Sequence, residues 1–142
     1  MQEYIDFASK NAALCLAWVG ILGFLIYSIV TSAVSKVKAV NNNQAVVLMN
    51  KEDAVIVDTR SAEEYRKSHI LNAVNVTVAD ITTNKLALIE KYKNSPIIVV
   101  CDTGMSANKA ANQLVKADFT SVHALSGGMV SWKDANLPTV KK

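Results

Sequence analysis

Cys101 is the residue whose surroundings suggest chemistry. Before it stand Ile97-Ile98-Val99-Val100, four β-branched residues in a row, which predict a buried central strand. The strand stops at the cysteine, a short loop with one glycine follows, and residues 106–116 have helical spacing and Ala-rich composition. In a strand–cysteine–loop–helix arrangement, backbone N–H groups of the loop and first helical turn point at the sulfur. Here these belong to Asp102, Thr103, Gly104, Met105, Ser106 and Ala107. They favour negative charge on sulfur and an anion bound beside it. Gly104 lets the loop curl where a Cβ would clash. An isolated cysteine is more often a small buried apolar residue; the loop and helix are what argue for a nucleophile.

Other chemistry-bearing residues have weaker settings. Asp58 and Arg60 end a second apolar run, Val55-Ile56-Val57; they are candidates to shape the site, and the alternative is a purely structural ion pair or cap beside the loop. His69 and His123 read as structural histidines. The chain has no Cys/His cluster with metal-ligand spacing and no phosphate-cradling glycine loop, so neither metal nor cofactor is expected. A cysteine phosphatase would need an arginine six positions after the nucleophile for bidentate phosphate recognition. That position is Ala107.

The elements that must position Cys101 follow from patterning. Strands are expected at 37–40, 54–57, 73–76, the run before Cys101, and 121–125. Helices are expected at 44–49 after the Asn41-Asn42-Asn43 cluster, from Ser61 (with Glu64 as capping partner) to 67, at 85–92, at 106–116 and at 129–135. Gly127-Gly128 is expected to turn the chain into the last helix. Strands alternating with helices imply an α/β fold, a mostly parallel sheet covered on both faces. Ligands then bind beyond the C-terminal strand ends, where Asp58 and Cys101 both fall.

Four motifs, in order, resemble the rhodanese family of sulfurtransferases. Val57-Asp58-Thr59-Arg60 is similar to that family's D-x-R strand end. Glu64-Tyr65 and Ser68-His69-Ile70-Leu71-Asn72-Ala73-Val74-Asn75 resemble its E-[FY] and G-H-I-x-G-A-x-N. The Cys101 loop resembles C-x-x-G-x-R-S, and Leu125-Ser126-Gly127-Gly128-Met129-Val130-Ser131-Trp132 resembles L-x-G-G-x-x-x-W. The layout is similar to the membrane-anchored, single-domain members of Gram-negative bacteria. The resemblance implies that the Cys101 thiolate takes a sulfane sulfur from a donor, as a persulfide, and passes it to a thiophilic acceptor. Ser68 and Asn72 replace two glycines of the pattern; Asn72 can keep a left-handed turn. Ser106 stands where many active members have Arg, and Asp102 adds a carboxylate. The loop itself offers no cation, so weak use of thiosulfate is expected, with a protein-borne persulfide or polysulfide as the better donor.

The N-terminal part is different in kind. Residues 12–30 carry no charge over nineteen positions, about 28 Å of helix and close to the thickness of a bilayer's hydrocarbon. A signal peptide would want a basic leader and a shorter apolar core; Glu3 and Asp6 precede this one, although Thr31-Ser32-Ala33 is a weak cleavage signal. The expected organisation is a short segment at 1–11, a transmembrane helix at 12–34, a rhodanese domain at 37–138 and a tail at 139–142. A short polar tether at 34–38 joins helix and domain. Lys36 and Lys38 follow the helix and only Lys10 precedes it. The positive-inside rule then puts the N-terminus outside and the domain in the cytoplasm of a single-pass inner-membrane protein. Cys15 lies in the apolar span and cannot pair with Cys101, which suits a reducing compartment.

Partners follow from composition. A net charge of +3 and only two arginines, Arg60 and Arg66, give no nucleic-acid footprint. Ala13, Ala17 and Gly20, with Gly23 nearby, form a small-residue stripe that would let a membrane-protein partner or second copy approach closely. Two functions therefore compete. One is a tethered sulfurtransferase with a sulfur donor and a thiol acceptor. The other is a membrane-tethered rhodanese-fold adaptor with weak or no turnover.

Overall fold

The computed structural model describes residues 1–34 and 36–142, which divide into two units, Met1–Ser35 and Lys36–Lys142. The first unit is helical. Residues expected as a short polar segment form α1 (Gln2–Lys10), with Tyr4, Ile5 and Phe7 exposed. Asn11 interrupts the run at φ −122°, ψ 35°, and its side-chain amide donates to the Phe7 carbonyl. The α2 helix (Ala12–Val34) follows, about 35 Å long at 1.5 Å per residue. Its uncharged stretch Ala12–Val30 is a candidate membrane span with none of its length buried inside the protein. Among the described residues this apolar stretch is not buried, as expected of a segment that could face a bilayer. The expected tether includes Ser35, which lies outside the described residues.

The second unit is built on a five-stranded, all-parallel sheet. Its strands are β1 (Val37–Val40), β2 (Val55–Asp58), β4 (Val74–Asn75), β5 (Pro96–Val100) and β6 (Ser121–Leu125), in the order β1-β6-β5-β2-β4. Its middle strand, β5, has Ile97, Ile98, Val99 and Val100 fully buried because both faces are covered. Ile97 and Val99 pack with Ala110, Ala111 and Leu114 of α6 (Ala107–Lys116); Ile98 and Val100 pack with Met129 and Trp132 of α7 (Gly128–Asp134). Period-2 alternation thus divides one apolar run between two cores.

Helix starts agree with their capping signals. Asn41 caps α3 (Asn42–Lys51) in a full capping box, with Asn41 and Gln44 each accepting the other's backbone N–H at 2.9 Å. Ser61 caps α4 (Ala62–Lys67), but Glu64 turns its carboxylate to Lys67 instead of closing the box. Asn72 takes the left-handed conformation, φ 62°.

Three expectations need correction. Residues 85–92 are not a regular helix but turns ending in a single 3₁₀ turn, Glu90–Tyr92. The buried residues there are Leu86 and Ile89, three apart, and Ile89 and Tyr92 bond back to the third residue before them, which is 3₁₀ spacing. A helix not expected, α5 (Val78–Thr82), precedes them, opened by a Thr77–Asp80 capping box. The segment expected as a tail pairs instead: β7 (Thr139–Val140) runs antiparallel to β3 (His69–Ile70), and Lys142 N–H donates to the Arg66 carbonyl.

Candidate active site

Strands β2 and β5 are parallel neighbours with Asp58 opposite Val100, so the residues just past both strands meet in one layer. Thr59 ties them further: its N–H and Oγ1 both donate to the Val100 carbonyl, at 2.9 and 3.0 Å. The cysteine that follows Val100 is therefore fixed beside Arg60.

Cys101 is 4% exposed. Its Sγ accepts the Gly104 N–H at 2.9 Å. Gly104 reaches that position at φ +91°, and a Cβ there would lie 2.9 Å from Gly127 N. The loop's carbonyls are held from the other side by the start of α7. Met129 N–H donates to the Cys101 carbonyl at 2.8 Å and Val130 N–H to that of Asp102 at 3.0 Å. Gly128 permits this approach, since a Cβ there would sit 2.6 Å from the Asp102 carbonyl oxygen.

The cysteine opens on a pocket of about 280 Å³ lined by Thr59, Arg60, Cys101, Asp102, Thr103, Met105 and Ser106. Two of the loop residues expected to bind a ligand do not line it. Gly104 gives its N–H to sulfur, and Ala107 is fully buried in the α6 core because it begins the face that packs on the sheet. Asp58 stands behind the pocket. It holds Arg60 through Nε at 3.0 Å and Nη2 at 2.7 Å, and it also accepts the Arg60 backbone N–H at 3.0 Å. Asn75 Nδ2 ties the backbone of both residues by donating to their carbonyls. Burial works against the charge on Arg60. The hydrogen bond and charge of Asp58, with Asp102 and Glu64 adding, outweigh it and hold the guanidinium above its ordinary range.

The histidines have structural partners. His69 stacks on Tyr65 with ring centroids 3.9 Å apart and places Nδ1 2.7 Å from the Tyr65 carbonyl. His123 Nδ1 lies 3.3 Å from the Ile97 carbonyl, inside the sheet. A larger groove, about 740 Å³, is lined by Ile81, Lys85, Leu88, Gln113 and Lys116 among others, and no cysteine lines it.

Arg60, expected to shape the site, lines the pocket as a cation. Sequence reasoning missed two things at this site: Thr59 is a pocket wall, and Gly128 brings α7 against the loop. The first was reachable from the expected parallel pairing, which puts residues 59–60 level with 101. The second depends on a contact between segments 26 residues apart, and the glycine pair signalled only a turn.

A family model described as a rhodanese-like domain matches residues 41–135. The chain is 38% identical over 141 residues to the Escherichia coli protein YibN, itself described as uncharacterized, covering 99% of both chains. It is 34% identical over 105 residues to the thiosulfate sulfurtransferase GlpE of Pseudoalteromonas translucida, covering 74% of this chain and 97% of that one. In fold it is similar to a rhodanese-related protein of Thermoplasma volcanium. The TM-score is 0.63 at 21% identity, over 74% of this chain and 99% of that chain.

Proposed function

The chain belongs to the rhodanese-like domain family, and on that premise we propose that it is a membrane-anchored sulfurtransferase carrying sulfane sulfur on Cys101. The observation that carries this reading is the Gly104 N–H on Cys101 Sγ at the floor of an open pocket. In the first step the thiolate attacks the outer sulfur of a donor such as thiosulfate. A Cys101 S–S bond forms, the donor's S–S bond breaks, and sulfite leaves with the electron pair. In the second step a thiophilic acceptor, cyanide in an assay or a thiolate in the cell, attacks the terminal sulfur and Cys101 leaves as thiolate. Covalent catalysis of this kind divides one transfer into two displacements. The loop amides and the start of α6 are the groups that would carry the persulfide's charge.

In this reading α2 is the anchor. Lys36 and Lys38 after it, against Lys10 before it, favour an outside N-terminus and a cytoplasmic domain at a bacterial inner membrane. The test uses the full-length protein in detergent. Cys101→Ser is expected to abolish thiosulfate:cyanide transfer, and the parent alone should gain the mass of one sulfur atom on Cys101. Transfer at the parental rate in Cys101→Ser would remove the cysteine from the mechanism. In intact spheroplasts Cys101 should resist a membrane-impermeant thiol reagent until lysis, and labelling before lysis would reverse the orientation.

One observation favours a second reading, a tethered adaptor for a membrane-protein partner or a second copy. Among the described residues nothing of their own unit lies within 4 Å of where a Cβ at Gly20 or Gly23 would project, so the stripe with Ala13 and Ala17 is open to close approach. An adaptor keeps its crosslinks in Cys101→Ser and loses them in Ala17→Leu.

A further inference from the structure

Each nitrogen of the Arg60 guanidinium can be accounted for. Nε donates to Asp58. Nη2 has two hydrogens and two acceptors, Asp58 Oδ2 at 2.7 Å and the Ser68 carbonyl at 2.6 Å. Nη1 also has two hydrogens, yet it makes no hydrogen bond among the described residues. Its nearest carboxylate is Asp102 Oδ1 at 3.7 Å, too long for one. The side chain is only 3% exposed, and Arg60 lines the Cys101 pocket. Nη1 is not among the buried atoms left without a partner, so it keeps access to the pocket it lines; a rigidly held fork with one prong lacking a protein acceptor beside a nucleophile can receive an anion there.

Asp102 stands over that prong with its own side chain 64% exposed. Its carboxylate is the same kind of ligand that Nη1 would bind, held near by the chain itself. Asp58 already neutralises Arg60, so ionised Asp102 leaves the three-residue cluster with one net negative charge.

We propose that Arg60 Nη1 is the oxyanion-recognising donor of this pocket, and that the Asp102 carboxylate competes for it, selecting against small dianionic sulfur donors. The ligand class is the sulfonate end of a thiosulfate-like donor, or the sulfite it releases. This proposal rests on the sulfurtransferase reading for its relevance but is tested by binding alone. A dianion meets both a carboxylate standing beside the prong and the extra negative charge. A monoanionic donor such as benzenethiosulfonate meets a smaller repulsion, and a persulfide presented by a protein can gain affinity from contacts away from the loop.

The experiment measures thiosulfate binding by calorimetry to the full-length Cys101→Ser protein in detergent, which cannot turn the donor over. Asp102→Asn added to that background should tighten thiosulfate about tenfold, with a smaller gain for benzenethiosulfonate. Asp102 is exposed, so an unchanged thermal transition is expected. Adding Arg60→Lys, which keeps the charge and loses the fork, should erase the gain, with circular dichroism confirming the fold. No gain from Asp102→Asn overturns the competition. A gain that survives a folded Arg60→Lys overturns the assignment to Nη1. Absence of sulfur transfer in the parent, with the binding gain intact, counts against the sulfurtransferase reading and leaves this proposal standing.

Discussion

Gly20 and Gly23 lie in α2, and among the described residues of that unit nothing but their own helix backbone comes within 4 Å of where a Cβ would project. Gly104 and Gly128 lie in the domain with backbone atoms already crowding that position. One pair is small toward whatever surrounds the chain. The other pair is small because the chain itself comes close. The difference shows that an unadorned glycine count says little about function: in the first case the missing side chain leaves the helix surface open, and in the second it lets α7 grip the cysteine loop.

Substitutions can sharpen or break this contrast, and the largest effect is expected at Gly128. Its Cβ would overlap the Cys101 and Asp102 carbonyls, and its φ is +57°. Gly128→Ala is expected to cost about 3 kcal/mol in chemical denaturation and to lose sulfur transfer, because the loop must shift. Stability and activity near parental values would mean that α7 does not hold the loop. Gly104→Ala should follow, at about 2 kcal/mol, from the φ of +91° and the 2.9 Å approach to Gly127 N. Its signature is a loss of activity larger than the loss of stability, since the N–H that reaches sulfur moves with it.

Asn72 separates the two contributions. It has positive φ, 62°, but an exposed side chain. Asn72→Ala should cost about 1 kcal/mol and Asn72→Gly only a few tenths. If Asn72→Ala matched Gly128→Ala, conformation and not crowding would explain the domain glycines. The smallest effect is expected in α2. Gly20→Leu and Gly23→Leu should leave the domain's unfolding and sulfur transfer unchanged while weakening crosslinking in membranes. A shift in the domain's unfolding would show that these glycines also serve the chain's own packing.

What could be read in advance divides along similar lines. The strand before Cys101, the capping cluster that begins at Asn41, and the apolar span announce themselves through local chemistry: β-branching, side-chain acceptors, absence of charge. The two-residue strands β3 and β7 do not, because each exists only through pairing with the other, 70 residues away. The same holds at the site. Cys101 and its glycine were legible from one short stretch. The free prong of Arg60 became visible only when Asp58, Ser68 and Asp102 were seen to take up, or fail to take up, its other hydrogens.

The pairing of β1 with β6 also has a consequence in time. Val37 to Val40 are the domain's first described strand, yet they pair with Val122 to Leu125, made more than 80 residues later. A ribosome adds roughly 5–20 residues per second, so β1 waits on the order of 4–16 s for its partner to be made. Throughout that interval the apolar helix has already been synthesised and β1 is an unpaired edge, the kind of segment that invites wrong partners. The β1 edge therefore closes late, and the Cys101 loop gains its hold from α7 only after Met129 and Val130 have been made.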